Sequence, residues 1–360
     1  MNCNKSLLSR DCSIWLKGFL TVLIIMGHDI VLTTTLQEYG FMSFLYMFHI
    51  QSFFILPFLY GIKKEAYTWR RFEDTVTRFY WPYFWLVILM MFCYGIFTKF
   101  TSFTWGGLIH LFLFCDTASI KQMCGIQIFW FLPCMLSMMF LKELFYRSGT
   151  GIRFFLLFVL SVFVLGDFLA NSSYQFSMCR DLLLKNLPLE SGYAMQLLAQ
   201  GVLLRTLIEY MEDNNLYRKS LMISLIGFLI SCMLYVKYVA FTIGTNDMNM
   251  VYALLQNITP LIFLIMVVSI LKLTGDCSKM SNVKKLGNRS LYVYLISPFV
   301  GYVAYFVCIK LNIVNLGVGL FLCPLIVYIS YEISLIVKGK LEIVLFPKKY
   351  KELKQLILKS

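Results

Sequence analysis

Lys17 and His28 stand eleven residues apart inside the apolar run from Ser13 to Thr33, SIWLKGFLTVLIIMGHDIVLT. At about 100° and about 1.5 Å per residue, a helix returns over that interval to within about 20° of its starting direction, about 16 Å further along its axis. One helix face would then carry a cation at one mouth and an imidazole deep inside, with Ser13 and Thr21 on the same stripe. That pattern suits an anionic ligand held at a membrane surface and proton chemistry within, because ionisable residues inside a span are costly and mark functional sites by default. A buried structural hydrogen bond is the plainer role for His28. Asp29 adjoins His28 but points about 100° away round the helix, which leaves it as a candidate orienting partner.

The other chemistry-bearing residues are fewer and more ambiguous. His49, with Gln51 and Ser52, gives a second apolar run a polar patch that could face His28 or could serve helix packing. Arg70, Arg71 and Arg78 flank aromatics beside the third run, where arginines clamp phosphates by paired charge-assisted bonds or simply mark the cytoplasmic rim. Trp130 and Tyr292 read either as site residues or as anchors of the aromatic belt, and His110 as an interfacial or re-entrant residue. The three histidines make no ligand pair with cysteine or carboxylate at metal-binding spacing, so no metal is expected. The eleven cysteines are odd in number and scattered without a CxxC; Cys115 and Cys124, in one predicted external loop, could pair.

The elements that must position these residues follow from composition. With 59% hydrophobic and 14% charged residues, the chain is far from a soluble domain and reads as an all-α, polytopic membrane protein. About ten transmembrane helices are expected, near 13–33, 41–61, 79–98, 127–145, 152–170, 193–210, 219–241, 250–273, 290–310 and 314–337. Pro57 should kink the second of them and Pro82 should start or kink the third. The polar N-terminus runs straight into the first span without a cleavage-site pattern, so that span reads as retained. With both termini in the cytoplasm, every lysine and arginine except Lys99, Lys121, Arg180, Lys185, Lys237 and Lys310 falls on the inner side. The net charge of +13 is thereby explained by cytoplasmic rims and anionic lipid; nucleic-acid binding is not indicated. Residues 1–340 read as one membrane domain. Residues 341–360 form a basic cytoplasmic tail, in which Tyr350, Leu353, Ile357 and Leu358 fall at the spacing of a short amphipathic helix.

Five segments carry a resemblance. They are WLKGFLTVLIIMGH in the first span, FHIQSFFILPFLYG in the second, RFYWPY in the third, IFWFLPC in the fourth and LGNRSLYVYLISP at the ninth. In that order they resemble the membrane acyltransferase-3 family, which includes bacterial O-acetyltransferases of surface polysaccharides. The resemblance implies transfer of an acyl group from cytoplasmic acetyl-CoA or another acyl-CoA to a hydroxyl of a glycan or lipid-linked sugar, in the inner membrane of a bacterium. His28 would be the general base. Lys17 with Arg70, Arg71 or Arg78 would meet the donor phosphates, and His49, Trp130 and Tyr292 would lie on the acceptor side. The chain departs from the family pattern at Lys17, at Pro57 and Phe58, at Gln127 and Ile128, and at Ser297, where histidine is frequent. An inactive member of the family fits those departures. A transporter or flippase of a lipid-linked sugar is the alternative from another class; it would be expected to show related halves and matching broken spans, and the prolines do not recur at a fixed offset.

Overall fold

A backbone N–H or C=O in hydrocarbon finds no water, so a chain of this composition must satisfy its main chain within helices. The computed structural model describes residues 6–36, 40–61, 68–101, 103–125, 128–158, 187–238, 250–275, 281–337 and 340–358. These residues form helices and short 3-10 and π turns, with no strand among them. Several sequence expectations fall outside the described residues: Lys5, Lys63, Lys64, Gln127, Arg180, Lys185, Lys279, Lys338, Lys359 and the second half of the fifth span.

Eight helical segments among the described residues are long and apolar enough to cross a membrane: Arg10–His28, Phe41–Leu59, Trp69–Ile96, Ile128–Arg147, Tyr217–Tyr238, Val251–Thr274, Ser290–Lys310 and Leu316–Ile336. Each coincides with an expected span. The expected sixth span is the helix Ser191–Asp213, of sufficient length but interrupted by Arg205, Glu209 and two buried glutamines, Gln196 and Gln200. The expected fifth begins as helix over 150–158. The chain is a polytopic helical protein of membrane type.

The chain divides into two compact units, Met1–Gly61 with Gln200–Ile336, and Ile62–Ala199 with Val337–Ser360. The first contains α1 (Arg10–His28), α2 (Ile30–Thr35), α3 (Phe41–Tyr46), α4 (His49–Ile55) and a 3-10 turn at Leu56–Leu59. The second contains α5 (Trp69–Thr98), α6 (Trp105–Ile109), α7 (Thr117–Cys124) and α8 (Phe131–Arg147). Helix α9 (Ser191–Asp213) is shared at the 199/200 division. The first unit then adds α10 (Tyr217–Tyr238), α11 (Met250–Thr274), α12 (Ser281–Asn288), α13 (Ser290–Lys310) and α14 (Leu316–Ile336). The second unit ends with α15 (Lys340–Leu345) and α16 (Tyr350–Ile357).

In the first unit α1 is the element on which the others pack: α3, α4, α12, α13 and α14 all touch it. Its closest neighbour is the short α12. A Cβ built on Gly18 would lie 2.1 Å from the Val283 carbonyl oxygen, and one on Gly287 would lie 1.9 Å from that of Ile14. Only a pair of glycines lets these two backbones touch. Lys284 Nζ, 2.8 Å from Asp11 Oδ2, pins the outer edge of the same contact. The LGN of the ninth segment is thus a packing device.

In the second unit the 30-residue α5 accepts Pro82 within its first half. Tyr80 donates to the Phe112 carbonyl at 2.8 Å, Tyr83 donates to that of Leu111, and Trp81 donates to that of Val344 at 2.7 Å. The tail helix α16 forms as the spacing predicts, with Leu353 buried and the Tyr350 N–H given to Asp74 Oδ1 at 2.9 Å. Pro57 sits at the start of the 3-10 turn, where its missing N–H costs nothing. The pairing of Cys115 with Cys124 does not form: both are buried free thiols, one directed to the Phe112 carbonyl and the other to that of Val87.

A methyl at the α1–α12 contact has no room, so Gly18→Ala should lower the stability of the detergent-solubilised protein by about 1–3 kcal/mol, the usual cost of overpacking. Gly301→Ala, whose Cβ would meet only Ile326 Cδ1 at 3.9 Å, should leave the melting temperature unchanged or raise it. Equal melting temperatures for the two variants would contradict the close-approach account.

Candidate active site

The expected continuous first span stops at His28. Asp29 leaves the helix with φ −68° and ψ 106°, accepts the Leu32 N–H on Oδ1 at 3.2 Å and so caps α2. Aspartate after a Gly-His pair, followed by β-branched residues, favours such a stop, because its side chain offers the backbone an alternative to the helical bond. Thr33 then donates its hydroxyl back to the Asp29 carbonyl at 2.8 Å.

The second span is interrupted at the matching place. Helix α3 ends at Tyr46, Phe48 takes φ −143° and ψ −31°, and α4 starts at His49. Phe48 fills the space this turn opens, its ring 4.7 Å from that of Phe263 and 5.5 Å from that of Phe228. The imidazole of His49 closes the break itself by donating Nδ1–H to the Leu45 carbonyl. A carbonyl can only accept, so this bond fixes the tautomer and leaves the lone pair on Nε2. That Nε2 is wholly buried and has no hydrogen-bond partner among the described residues. It faces Gly27, on which a Cβ would lie 3.4 Å from it.

His28 therefore ends one helix and His49 begins another, and Tyr46 stands between them. The rings of His28 and Tyr46 are 5.9 Å apart at 88°, and those of Tyr46 and His49 are 5.1 Å apart at 86°. The Tyr46 hydroxyl lies 3.4 Å from His28 Nδ1 and 3.5 Å from Nε2, a loose contact of the kind that tightens when a substrate arrives. Tyr252 and Tyr294 come within electrostatic range of Tyr46, and Tyr252 donates to the Ser43 carbonyl at 3.1 Å. Gln51 Oε1 and Ser52 Oγ, on α4, are buried without partners among the described residues. Two imidazoles, three phenols and several unspent acceptors thus line one interrupted region of the first unit, equipped to take and return a proton.

Of the residues singled out from sequence, the structure brings His28 and His49 together. Asp29 is directed elsewhere: one oxygen caps α2, the other is buried without a partner among the described residues, and the carboxylate lies within electrostatic range of Cys323 on α14. No hydrogen bond joins it to His28. Tyr292 lies under the Arg289 guanidinium, 5.1 Å from ring centroid to Cζ, while Tyr294, about 200° round the same helix, takes the position near Tyr46. Lys17 is half-buried in the first half of α1, its Nζ 5.0 Å over the Tyr60 ring. The Ser13 and Thr21 hydroxyls bond to carbonyls four residues back on their own helix, at 2.8 Å each, and leave the stripe to Lys17 and His28. Ser297 likewise donates to the Tyr294 carbonyl at 3.1 Å.

Arg70, Arg71, Arg78 and Trp130 belong to the second unit. Arg70 and Arg78 are exposed, Arg78 lying over Phe79 at 5.4 Å, and Trp130 meets Tyr193 edge-on at 5.4 Å. His110 lies within a short apolar helix, Trp105–Phe114, and binds Asp116 Oδ2 at 3.1 Å. Asp116 and Glu190 together serve the start of α7: Asp116 Oδ1 accepts the Ser119 N–H at 2.8 Å and Glu190 Oε1 accepts that of Thr117 at 3.2 Å.

Sequence reasoning missed Tyr46, which looked like one aromatic among many, and Arg205, counted only as a rim charge. Arg205 is fully buried; Nη1 donates to the carbonyls of Phe58 at 2.8 Å and Tyr60 at 3.2 Å, and Nε lies 2.9 Å from Glu209 Oε1. It ties off the 3-10 turn beneath the ring that Lys17 covers. A lone arginine at position 15 of a glutamine-bearing 23-residue helix was the available signal.

No family model matches the chain, and no curated protein and no solved structure matches it.

Arg205→Ala removes the donors of two carbonyls and strands Glu209, so it should cost about 3–5 kcal/mol, read as a large fall in melting temperature. A fall below about 1 kcal/mol would make the guanidinium dispensable. A second outcome concerns pH. Burial pushes the Glu190 carboxyl up to about 7 from its ordinary 4.5, with Asp116 adding to the rise and the Thr117 N–H opposing it. The folded chain then holds a proton that the unfolded chain has released, so this residue's contribution to stability falls as pH rises from 4.5 to about 7. Glu190→Gln cannot ionise; its melting temperature should gain on wild type through that window and keep the gain above it. Parallel melting profiles from pH 4 to pH 8 would refute the assignment.

Proposed function

We propose that this chain is a membrane acyltransferase, moving an acyl group, acetyl in the first instance, from cytoplasmic acyl-CoA to a hydroxyl of a glycan or lipid-linked sugar at a bacterial inner membrane. The observation that carries the reading is the meeting of His28 and His49 over Tyr46 at the ends of two interrupted spans, with His49 Nε2 buried and unspent. Hydrocarbon surroundings make such an arrangement expensive, and a polar substrate passing through it supplies the missing partners.

In the proposed reaction His28 takes the proton of the acceptor hydroxyl as its oxygen attacks the thioester carbonyl. The tetrahedral intermediate expels the CoA thiolate, and the imidazolium returns the proton to that sulfur, so the imidazole ends as it began. His49, held by its bond to the Leu45 carbonyl, accepts a hydrogen bond from the acceptor on Nε2 and orients it. Lys17 holds a donor phosphate at the far end of the stripe, about 16 Å away along the helix, a distance the pantetheine arm spans.

The test is transfer of labelled acetyl from acetyl-CoA to extracted glycan or lipid in reconstituted membranes. His28→Gln should insert and melt as wild type, bind donor, and lose transfer by at least about a hundredfold. Lys17→Ala should weaken donor affinity more than it slows turnover at saturation. Transfer by His28→Gln within a few fold of wild type would make the imidazole structural. A second reading draws support from the interruptions at Asp29 and Phe48, because half-helices meeting inside the membrane are how transporters build substrate sites. Movement of a lipid-linked sugar across proteoliposome membranes in the absence of acetyl-CoA, with no label transferred, would favour it.

A further inference from the structure

The tail helix α16 and the first half of α5 enclose a groove in the second unit of about 580 Å³, in the range of small-molecule and lipid-chain sites. Thr77, Tyr80, Trp81 and Phe84 form its floor, at the i, i+3, i+4, i+7 spacing of one helix face, and Leu353 and Lys354 face them from α16. The polar handles of the two hydrogen-bonding rings of the floor are already spent on the protein: the Tyr80 hydroxyl goes to the Phe112 carbonyl and the Trp81 indole N–H to that of Val344. What Tyr80, Trp81 and Phe84 present to the groove is ring surface. Charge is available at the tail side, where Lys354 is exposed and has no ion pair among the described residues, unlike Lys348, which is bound to Glu342 at 3.0 Å. Lys351, one turn earlier, is exposed as well.

An apolar floor left uncovered is unfavourable in proportion to its area, and the cation beside it selects the sign of whatever covers it. The groove lies along a helix that is itself long and apolar enough to cross a membrane, so acyl chains are the surrounding solvent. We infer that this groove is a binding site for one anionic phospholipid of the adjoining leaflet, an acyl chain lying along Trp81 and Phe84 and the headgroup phosphate meeting Lys354. The tail then docks on α5 through a lipid as well as through Leu353 and the Asp74 cap, which gives the basic tail a use beyond topology.

The experiment uses the full chain in detergent, incubated with phosphatidylglycerol and phosphatidylcholine of identical chains in equal amounts, and counts retained lipid by native mass spectrometry. Wild type should retain one phosphatidylglycerol in preference to phosphatidylcholine. Lys354→Ala should reduce that preference about fivefold while Lys354→Arg keeps it. Val76→Trp, which fills the groove from a half-buried position on α5, should abolish retention of both lipids with an unchanged melting temperature. Equal retention of the two lipids by wild type, or undiminished retention by Val76→Trp, would overturn the proposal. So would displacement of the bound lipid by millimolar inorganic phosphate, since the site would then recognise the headgroup charge and not the chain.

Discussion

A helix that stops inside hydrocarbon must find partners for the backbone groups it releases, and the first unit is arranged around two such stops. Each is closed by a side chain at the break: the Asp29 carboxylate receives the Leu32 N–H, and the His49 imidazole supplies the Leu45 carbonyl. The two solutions differ in consequence. Asp29 is consumed as a cap and turns toward α14, whereas His49 keeps its second nitrogen in reserve, pressed against Gly27. The same requirement that makes the interruption expensive thus fixes a tautomer and aims a lone pair. Polar chemistry in a membrane helix is here a by-product of how the backbone is satisfied.

Those stops hold their places because α1 is gripped along its length. Midway along it Gly18 and Gly287 let α12 lie directly on it, and beyond its C-terminus Leu32 on α2 meets Gly319 of α14, where a Cβ would come 3.0 Å from the Leu32 Cα. Arg205 performs the equivalent service for the second span, taking the carbonyls of Phe58 and Tyr60 where the 3-10 turn runs out. Phe58 is fully buried against Gly201, whose lack of a side chain makes room for the ring.

The second unit carries its polar groups differently. His110, Asp116 and Glu190 gather at the start of α7, and both carboxylates spend an oxygen on its N–H groups. Leu189 and Glu190 both adopt positive φ, 55° and 52°, an arrangement held in place by the Ser137 hydroxyl on the Leu189 carbonyl and by the Thr117 N–H on Glu190 itself. These are contacts that shape a segment outside the spans, and their sensitivity to pH follows from burial of one carboxyl beside another.

Composition and hydropathy alone determined that the chain is helical and of membrane type, because a run of some twenty apolar residues has few other uses in water or lipid. Eight of the expected spans are present as such helices, and the amphipathic tail helix was legible from four apolar residues among lysines. The sequence also singled out His28 and His49, since an ionisable residue in an apolar run is conspicuous whatever the fold. Of the two breaks only the first left a sign, the capping aspartate of the Gly-His-Asp step; the Tyr-Met-Phe-His step is compatible with continuous helix, and packing against the Phe263 cluster accompanies its interruption. With the first break, Asp29 left the imidazole's side, and the choice of Tyr294 over Tyr292 rested on the rotation of one helix by about 200°, which two tyrosines in the string YVY cannot reveal. Arg205 passed as one rim charge among many because burial is a property of the neighbours, and the neighbours of a residue are known only once the chain has folded.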